Sequence, residues 1–367
     1  MGQFVIKDIT DHLETIAPLA YQESYDNSGL LTGHPSQEVT GILITLDCTE
    51  AVIDEAIERG CNLILTHHPI IFRGLQRLTG SNYVERTVIR AIRNAIGIYA
   101  IHTNLDNVDN GVNRKISEKI GLVNTRILAP KTQVLTKLVT FIPKEHTGTV
   151  LTALYEAGAG QIGNYESCSF SVDGQGTFKP NDKATPAIGE KFVQEVVTET
   201  RIEVIFPTYL QGKVVAALKR SHPYEEVAFY LTGLTNPNQE VGSGMVGELP
   251  EAQEPSEFLK RLKISMDLKV IRHTRLIEQP VKKVAVCGGS GSFLLSDAVR
   301  AGAEVFISAD FKYHEFFDAE DRVIIADIGH YESEVFTREL IGEVLTKKFP
   351  TFAINFSRTV TNPISYL

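Results

Sequence analysis

An apolar run that ends in two adjacent histidines constrains the fold of this chain most. Residues 63–66 (LILT) have the composition of a buried strand, and Pro69 stops that strand because proline has no N–H to donate to a sheet. Consecutive side chains of a strand point to opposite faces, so His67 and His68 suit two ions lying side by side better than one chelated ion. Taken alone, the pair could also be a hydrogen-bonded turn residue beside a surface residue.

Apolar runs alternate with helix-like segments through the first third of the chain. Strands are expected at residues 41–47, 61–66 and 97–101, and helices at residues 8–20, 49–59 and 81–95. The strand runs are almost continuously apolar, which is typical of a parallel sheet covered on both faces. Residues 25–30 are rich in turn formers and are expected to form a polar loop.

The same pattern returns near the end of the chain. Strands are expected at residues 281–287, 304–308 and 323–326, and helices at residues 292–301 and 331–347. The segment between the two halves has a different texture. The sequence therefore predicts an α/β fold with a discontinuous, parallel-sheet-rich domain formed by residues 1–129 and 250–367, and an inserted domain formed by residues 130–249.

An internal repeat at an offset of 64 residues organises the inserted segment. The repeat superposes Pro143 on Pro207, Gly148 on Gly212, Val150 on Val214, Ala153 on Ala217 and Leu154 on Leu218. Strands at 138–143 and 200–207 each lead into a helix, at 145–157 and 209–220, and then into a further strand, at 165–172 and 225–232. This duplication predicts a ferredoxin-like α+β domain. Residues 173–176 (DGQG) are expected to form a hairpin turn.

Four segments end in side chains of the metal-ligand type. They are Asp47, His67 with His68, His102 with Asp106, and His330 with Glu334. Positions i and i+4 share a face of a helix, so His330 and Glu334 are expected to project together, whereas Asn104 and Asn107 favour a turn around the second such pair. Three imidazoles with two carboxylates form a nitrogen and oxygen set that suits zinc, manganese or ferrous iron.

A carboxylate with two oxygens is the natural bridge between two ions, and Glu334 is the candidate. Two ions about 3.5–4 Å apart can also share a water whose pKa falls towards ~7. Each histidine alone would more often be structural, and the metal interpretation rests on their convergence at strand ends, where ligands sit in open α/β sheets.

Two further polar segments carry weaker signals. Residues 288–291 (GGSG) lie between a strand and a helix, where backbone N–H groups can bind an anion, but a plain tight turn is favoured. Residues 221–226 (SHPYEE) are expected to form a solvated turn or a subunit contact.

Charge and cysteine usage exclude several classes of protein. A formal charge of -9 argues against a dedicated nucleic-acid binder, and no apolar run approaches the ~20 residues of a membrane span. The first ten residues lack a signal-peptide core. Four cysteines without a C-x-x-C pair fit a reducing compartment, so we expect a cytoplasmic protein without membrane partners.

Several of these segments together resemble the Nif-three-like family, whose members carry the name GTP cyclohydrolase 1 type 2 homologue. The matching segments are DNSG at 26–29, THHP at 66–69, HTNLD at 102–106, GGSG at 288–291 and GHYESE at 329–334. In the middle segment, SFSVDGQGTF at 169–178 and HPYEEVAF at 222–229 are similar to the insert of longer bacterial members, which resembles CutA-like and PII-like domains.

The resemblance implies a dinuclear metal site and an assembly. It maps the metal ligands onto His67, His68, Asp106, His330 and Glu334, with Glu334 touching both ions, and it places His102 at a further position near the metals. It also implies a toroidal homohexamer whose metal sites face an internal cavity.

The function expected first is a metal-dependent hydrolase acting on a nucleotide-like substrate, with ring opening of GTP as one reaction. His102 is the candidate catalytic residue because an imidazole can carry protons near neutral pH. Two divalent cations per subunit are expected, zinc before manganese or iron. The alternatives are a two-metal phosphoesterase and a non-catalytic metal-binding or regulatory scaffold.

Overall fold

The computed structural model of this protein describes residues 4–367 and contains two compact units. The first unit comprises the chain up to Ala129 together with Val241–Leu367, and the second unit is Pro130–Glu240. Residues 1–3, which begin the segment inspected for a signal peptide, lie outside the described residues. No helix within residues 4–367 combines the length and apolar character that a membrane span needs.

Three sheets contain the strands of the described residues. In chain order the strands are β1 (Gly29–Thr32), β2 (Ile42–Thr45), β3 (Leu63–Thr66), β4 (Gly97–Ala100), β5 (Val123–Lys131), β6 (Leu135–Pro143), β7 (Phe170–Phe178), β8 (Glu195–Pro207), β9 (Phe229–Leu234), β10 (Asn238–Gln253), β11 (Arg272–His273), β12 (Val281–Ser290), β13 (Val305–Ala309), β14 (Ile324–Asp327) and β15 (Ile354–Phe356).

Helices account for most of the remaining regular structure. In chain order the α-helices are α1 (Ile6–Ile16), α2 (Glu50–Glu58), α3 (Tyr83–Arg93), α4 (Thr103–Asp106), α5 (Val112–Lys119), α6 (Thr147–Glu156), α7 (Gln211–Ser221), α8 (Pro255–Ser265), α9 (Leu295–Arg300), α10 (His330–Glu334) and α11 (Thr337–Lys348). Short 3₁₀ turns lie at Leu19–Tyr21, Lys144–His146, Thr208–Leu210, Ser292–Leu294 and Tyr313–Ala319.

The first unit is built on two sheets rather than one. In the five-stranded sheet the order is β1-β4-β3-β2-β15, and every pair is parallel except β1 with β4. In the six-stranded sheet the order is β11-β14-β13-β12-β10-β5, with β12, β13 and β14 parallel. From Met245 onward β10 pairs with β12, so this part of β10 belongs to the first unit. The chain is therefore a mixed α/β protein with several sheets.

Burial on both faces explains why the strands of the first unit read as continuous apolar runs. One core packs the five-stranded sheet (Ile44, Leu65) with the six-stranded sheet (Val286, Ile307), and it includes residues of α1, α5, α8 and α11. Helices α2 and α3 cover the other face of the five-stranded sheet, and α9 covers the other face of the six-stranded sheet. The side chains on both faces of each central strand are therefore apolar.

Helix boundaries follow local chemistry. The helices expected at 49–59 and 81–95 are confirmed as α2 and α3, whose N-caps Thr49 and Asn82 accept hydrogen bonds from the N–H groups of Val52 and Glu85. The helix expected at 8–20 ends earlier, at Ile16, because Pro18 lacks the N–H that would continue it. The last helix, expected as one element, is two, α10 and α11.

Two loop predictions near the first unit's strand ends need correction. The polar loop expected over 25–30 is shorter, because Gly29 and Leu30 already pair with β4 at the edge of the five-stranded sheet. The turn expected at 102–107 contains the short helix α4, and Asn104 there is buried and donates to the Ala17 carbonyl at 2.7 Å. In both segments, hydrogen bonds to distant parts of the chain outweigh the local turn propensity.

The second unit has the β-α-β-β-α-β order expected from the internal repeat. Its antiparallel sheet runs β7-β8-β6-β9, which is the ferredoxin-like order, and α6 and α7 pack on it. Val150 and Leu154 of α6 and their repeat partners Val214 and Leu218 of α7 are fully buried. The internal sequence repeat therefore corresponds to two equivalent helices that pack on the same hydrophobic core.

The hairpin turn expected at residues 173–176 is wrong. These residues lie inside β7, which pairs with β8 from Phe170 opposite Glu203 to Phe178 opposite Glu195. Gly176 has a packing role instead, because a Cβ at this position would lie 2.0 Å from Oε2 of Glu199. Glycine is suited to this position because the absence of a side chain makes space for the Glu199 carboxylate, and the backbone does not turn here.

Candidate metal centre

Six of the sequence-predicted side chains gather in the first unit, where parallel strands end. His67 and His68 directly follow β3, His102 follows β4 and begins α4, and Asp106 ends α4. His330 and Glu334 lie on α10, two residues after β14. β3 and β4 end at the same edge of the five-stranded sheet, and β14 belongs to the six-stranded sheet, which shares a core with it. The packing of the two sheets therefore brings these distant segments together. We call these six residues the metal-ligand cluster.

His67 is fully buried, and its hydrogen bond fixes which ring nitrogen faces the cluster. Its Nδ1–H donates to the carbonyl of Ile101 at 2.8 Å. Its Nε2 then carries a lone pair, 3.5 Å from Oδ1 of Asp106 and 3.9 Å from Oε1 of Glu334. A backbone carbonyl on one nitrogen with the other nitrogen turned towards carboxylates is the pattern of a metal-ligating histidine.

His68 connects two carboxylates. Its Nδ1 donates to Oδ1 of Asp47 at 2.7 Å, and its Nε2 donates to Oε2 of Glu334 at 2.9 Å. Burial acts to lower the pKa of His68, but these two carboxylates outweigh it and raise the pKa to about 10. Thr361 in turn donates to Asp47 at 2.6 Å, which holds that carboxylate in place.

His330 repeats this arrangement from the opposite side of Glu334. Its Nδ1 donates to Oδ2 of Asp310 at 2.6 Å, and its Nε2 lies 3.1 Å from Oε2 of Glu334. Burial acts to lower the pKa of His330, but Glu334 and Asp310 raise it to about 9. The Nε2 atoms of His330 and His68 are 3.4 Å apart, so both imidazoles converge on one carboxylate oxygen.

His102 lies beside the two adjacent histidines and is held by a buried aspartate. Its ring centroid is 5.2 Å from that of His67 and 5.3 Å from that of His68, and its Nδ1 donates to Oδ1 of Asp26 at 2.8 Å. Asp26 also accepts hydrogen bonds from the Thr103 side chain and from its N–H at 3.0 Å. Burial opposes ionisation of Asp26, yet the bonds from His102 and Thr103 hold its pKa well below the usual range.

The carboxylates of the cluster resist being ionised together. Burial and, to a smaller extent, the nearby charge of Glu334 together raise the pKa of Asp106 to about 7. Burial also disfavours ionised Glu334, but its histidine neighbours His330, His67 and His68 hold its pKa well below the ordinary value. A positive charge at the centre would relieve this conflict.

Two buried polar atoms at the centre have no hydrogen-bond partner within residues 4–367. They are Nε2 of His67 and Oδ1 of Asp106, the two atoms that face each other at 3.5 Å. Buried polar atoms are almost always satisfied, and two adjacent lone pairs can be satisfied together by one cation. The residues present therefore fit a divalent metal ion.

Ligand atoms of the cluster fall into three overlapping groups, each with its atoms within 4.8 Å of one another. The groups are His67, Asp106 and Glu334, then His68, His330 and Glu334, and then His67, His68 and His102. Glu334 is common to the first two groups, and it presents Oε1 to one and Oε2 to the other. The protein thus has His and Glu groups that could hold metal.

The tight loop expected at residues 288–291 is wrong, because most of the GGSG segment belongs to β12. Its glycines let the backbone pass close to Glu334 of the cluster. Gly288 and Gly289 continue β12, and a Cβ on Gly289 would lie 2.3 Å from Oε1 of Glu334. The N–H groups of these glycines donate to Asn113 and Ser333, each at 2.9 Å, so they are not available to an anion. The positive φ of 63° at Gly289 also favours glycine.

Three aspartates that orient histidines were missing from the predicted site. Asp26, Asp47 and Asp310 each accept from the Nδ1–H of a cluster histidine, which turns Nε2 of that histidine towards the centre. Asp47 gave a signal, because it has the same position after β2 as His68 has after β3. Asp310 directly follows β13, so its position could have suggested it, whereas Asp26 precedes β1 in the DNSG segment and gave no such signal.

Comparison with known proteins finds a family model and named relatives that match this chain along nearly its whole length. The family model described as Duf34/NIF3 (NGG1p interacting factor 3) matches residues 4–363. Two relatives named "GTP cyclohydrolase 1 type 2 homolog" are 39% identical: one from Halalkalibacterium halodurans, with 100% of this chain and 99% of the relative aligned, and one from Bacillus subtilis, with 98% of each aligned.

Solved structures give the same result for the fold. A Bacillus cereus protein related to NIF3 is similar over 100% of both chains, with a TM-score of 0.86 and 36% identity. A Staphylococcus aureus protein is similar over 100% of both chains, with a TM-score of 0.80 and 31% identity. A full-length family match, relatives of this identity and structures of this likeness establish that the chain belongs to the Duf34/NIF3 family.

Proposed function

We propose that this protein is a hydrolase that uses two divalent cations to act on a nucleotide-like substrate. The position of Glu334 carries the proposal, because one oxygen faces His67 and Asp106 while the other faces His68 and His330. One ion would be held by His67, Asp106 and Glu334, and the second by His68, His330 and Glu334. Zinc suits this nitrogen and oxygen set best, with manganese or ferrous iron as alternatives.

Bound divalent cations supply Lewis acidity and make water a nucleophile at neutral pH. The chain's own contribution is to orient and to move protons. With Nδ1–H committed to Asp26, His102 presents Nε2 beside the cluster as a proton acceptor, and later as a donor. Asp26 holds this tautomer and stabilises the imidazolium that forms, which makes it a positioning residue.

An exposed aromatic pair beside His102 supports a planar, nucleotide-like substrate. The Tyr25 and Phe72 rings have centroids 6.3 Å apart, and Phe72 lies 6.3 Å from the His102 ring. Both aromatic side chains remain largely accessible, at 63% and 45% exposed. Exposed aromatic faces stack on nucleobases, so a base bound there would reach the proton-transferring imidazole. The relatives' name, GTP cyclohydrolase 1 type 2 homolog, makes the purine ring of GTP the first substrate to try.

The direct test measures formate and inorganic phosphate released from GTP by zinc- or manganese-loaded protein. Formate is expected, because one water opens the imidazole part of the purine ring to a formamide and a second water cleaves that formamide to formate and an amine. Phosphate without formate would support the two-metal phosphoesterase instead, and tight metal binding with neither product would support a non-catalytic scaffold. Activity that persists in both His68→Ala and Glu334→Ala would refute a mechanism at this centre.

We also propose that the second unit is a CutA- or PII-like domain and that the chain forms a toroidal homohexamer. Apolar side chains that remain exposed on its sheet support assembly, since Phe170 and Val172 of β7 are 66% and 49% exposed. Light scattering should give six times the chain mass, and a monomeric mass would contradict this proposal. The four unpaired cysteines support a reducing, cytoplasmic location, which fractionation of cells would test.

Metal binding at this centre is expected to release protons. In the metal-free protein the pKa values of His68 and His330 are about 10 and about 9, so both are doubly protonated at pH 7. A ligating imidazole must be neutral, so loading both ions should release about two protons from these histidines at pH 7. Asp106, whose pKa is about 7, is partly protonated at that pH and should add roughly half a proton. Metal affinity should therefore rise as the pH rises from 6 to 8.

Titration calorimetry in two buffers of different ionisation enthalpy measures this release. His68→Ala should release about one proton fewer, because one of the two charged imidazoles is gone. His314→Ala removes an exposed histidine outside the cluster and should leave the release unchanged. Binding that releases no protons would contradict the assignment of these imidazoles as ligands.

A further inference from the structure

The second unit contains a cavity of about 460 Å³ that the metal centre does not use. We propose that this cavity binds a small organic cation, an ammonium or guanidinium compound, with Glu199 as its counter-ion. The cavity lies beside β7 and β8, and its lining includes Tyr224, Glu225 and Glu226 of the SHPYEE segment, for which the sequence suggested only a turn or a subunit contact. This inference does not depend on the function proposed above.

Glu199 is a buried acidic side chain without a cationic partner. Its side chain faces the cavity and the residue is only 8% exposed. No lysine, arginine or histidine among residues 4–367 forms an ion pair with it, whereas Glu203 on the same strand pairs with Lys137 and Arg201. A buried carboxylate is costly unless a positive group compensates it.

The nearest histidine does not supply that charge. His222 is buried, and burial lowers its pKa despite the opposing effects of the Phe141 carbonyl and Glu199. Its Nε2–H donates to the carbonyl of Phe141 at 2.9 Å, and its Nδ1 accepts from the N–H of Tyr224 at 3.1 Å. Both nitrogens are therefore occupied in a neutral ring.

Tyr224 offers a second polar atom to the same cavity. Its hydroxyl oxygen is buried and lies beside the Glu199 carboxylate, to which the O–H can donate, so its lone pairs stay available to a ligand. Burial raises the pKa of this hydroxyl, and the neighbouring Glu199 carboxylate raises it further, so the phenol stays neutral. A neutral phenol oxygen can accept a hydrogen bond from an N–H group of a bound cation.

Aromatic rings form much of the remaining wall. Phe178 and Tyr224 meet edge to face, with centroids 6.0 Å apart, and Phe141 and Tyr230 do the same at 5.9 Å. All four line the cavity. Aromatic faces attract organic cations through their negative ring potential, and the attraction grows when the site excludes water.

The lining disfavours other kinds of ligand. Glu199, Glu225 and Glu226 face the cavity against a single cationic side chain, Lys179, so an anion or a nucleotide phosphate would meet net repulsion. The groups of histidine, cysteine or carboxylate that could hold a metal ion in residues 4–367 all lie in the metal-ligand cluster. A volume of this size also exceeds what one ion needs and lies in the range of small-molecule sites.

Binding of 2-phenylethylamine, with 2-phenylethanol as its uncharged analogue, tests the proposal on the full chain. Calorimetry should show saturable binding of the amine at one site per chain, in the presence or absence of EDTA. The alcohol should bind at least about tenfold more weakly, because it lacks the charge that pairs with Glu199. Equal binding of both compounds, or no saturable binding of the amine, would overturn the proposal.

Three variants locate the binding on the protein. Glu199→Gln should weaken amine binding at least about tenfold, whereas Glu203→Gln, on the same strand outside the cavity, should stay within about twofold. Gly176→Ala should also weaken binding, because the new Cβ would lie 2.0 Å from Oε2 of Glu199 and displace the carboxylate. Without amine, Glu199→Gln should raise the thermal midpoint by removing an unpaired buried charge. Unchanged binding in Glu199→Gln and Gly176→Ala would place the amine elsewhere.

Discussion

Glu334→Gln is expected to remove both bound cations at once and to lower hydrolytic turnover by about a thousandfold or more, since metal ions supply several kcal/mol of transition-state stabilisation. The amide keeps the size of the side chain but loses the charge and one of its two acceptor oxygens. Both ligand groups that contain Glu334 would lose their shared member. Elemental analysis should find fewer than one ion per chain after dialysis, against two for the unaltered protein.

Glu332→Gln is the matched control for this prediction. Glu332 lies on the same short helix, but its Oε1 accepts from the side chain of Asn362 at 2.9 Å and takes no part in the metal-ligand groups. This variant should retain both ions and full turnover. Loss of a single ion in Glu334→Gln, with the other ion bound normally, would show that Glu334 serves one ion rather than two.

Asp26→Asn is expected to lower turnover by about 10- to 100-fold while both cations stay bound. An amide in place of the carboxylate no longer favours the tautomer of His102 that presents Nε2 to the substrate, and it cannot stabilise an imidazolium. The fall should appear in kcat and leave KM little changed, because Asp26 acts through His102 and does not touch substrate. The pH dependence of kcat should shift as well.

Asp11→Asn, an exposed change on α1, should leave all of these quantities unaltered. Thermal denaturation of Asp26→Asn must be measured alongside, because Asp26 also accepts hydrogen bonds from Thr103 and Ser28. A full-strength kcat in a folded Asp26→Asn protein would contradict a proton-transfer role for His102. Loss of metal in this variant would instead identify His102 as a ligand.

Alternation of apolar runs with helical segments was enough to predict the six central strands of the first unit, β2 to β4 and β12 to β14, and the helices α1, α2, α3 and α9 with the last helical segment. The strands β1, β5, β10, β11 and β15 and the helices α5 and α8 were not predicted. The histidines at the ends of β3 and β4 and the pair on α10 could be found for the same reason, since their distance along the chain from the preceding strand is short. The sequence could not show which strands belong to which of the two sheets. Each sheet is buried on both faces, so the strands of both sheets have the same continuous apolar pattern.

Glycine clusters were the main source of error. The segments at 173–176 and 288–291 were interpreted as turns, and both lie in strands. In each case a glycine accepts the close approach of a carboxylate, Gly176 for Glu199 and Gly289 for Glu334. Turn propensity depends on neighbouring residues, whereas these carboxylates belong to other elements of the fold, so a local pattern could not reveal them.

The role of the aspartates that orient the cluster histidines could not be identified from the sequence either. Asp26 and Asp310 lie far in sequence from the imidazoles to which they bind, and a single aspartate in a polar loop is ordinary. Only the folded arrangement reveals that three different histidines use the same device. The recurring Nδ1–carboxylate contact is therefore a structural finding rather than a sequence motif.

The discontinuity of the first unit has a consequence for biosynthesis. His67, His68 and Asp106 leave the ribosome before the second unit is made, whereas His330 and Glu334 emerge only after it. Until then the early ligands cannot form the groups shared with Glu334, so the nascent chain should acquire its full complement of cations only after α10 has emerged. Loading of both cations would therefore follow, and depend on, synthesis of the second unit.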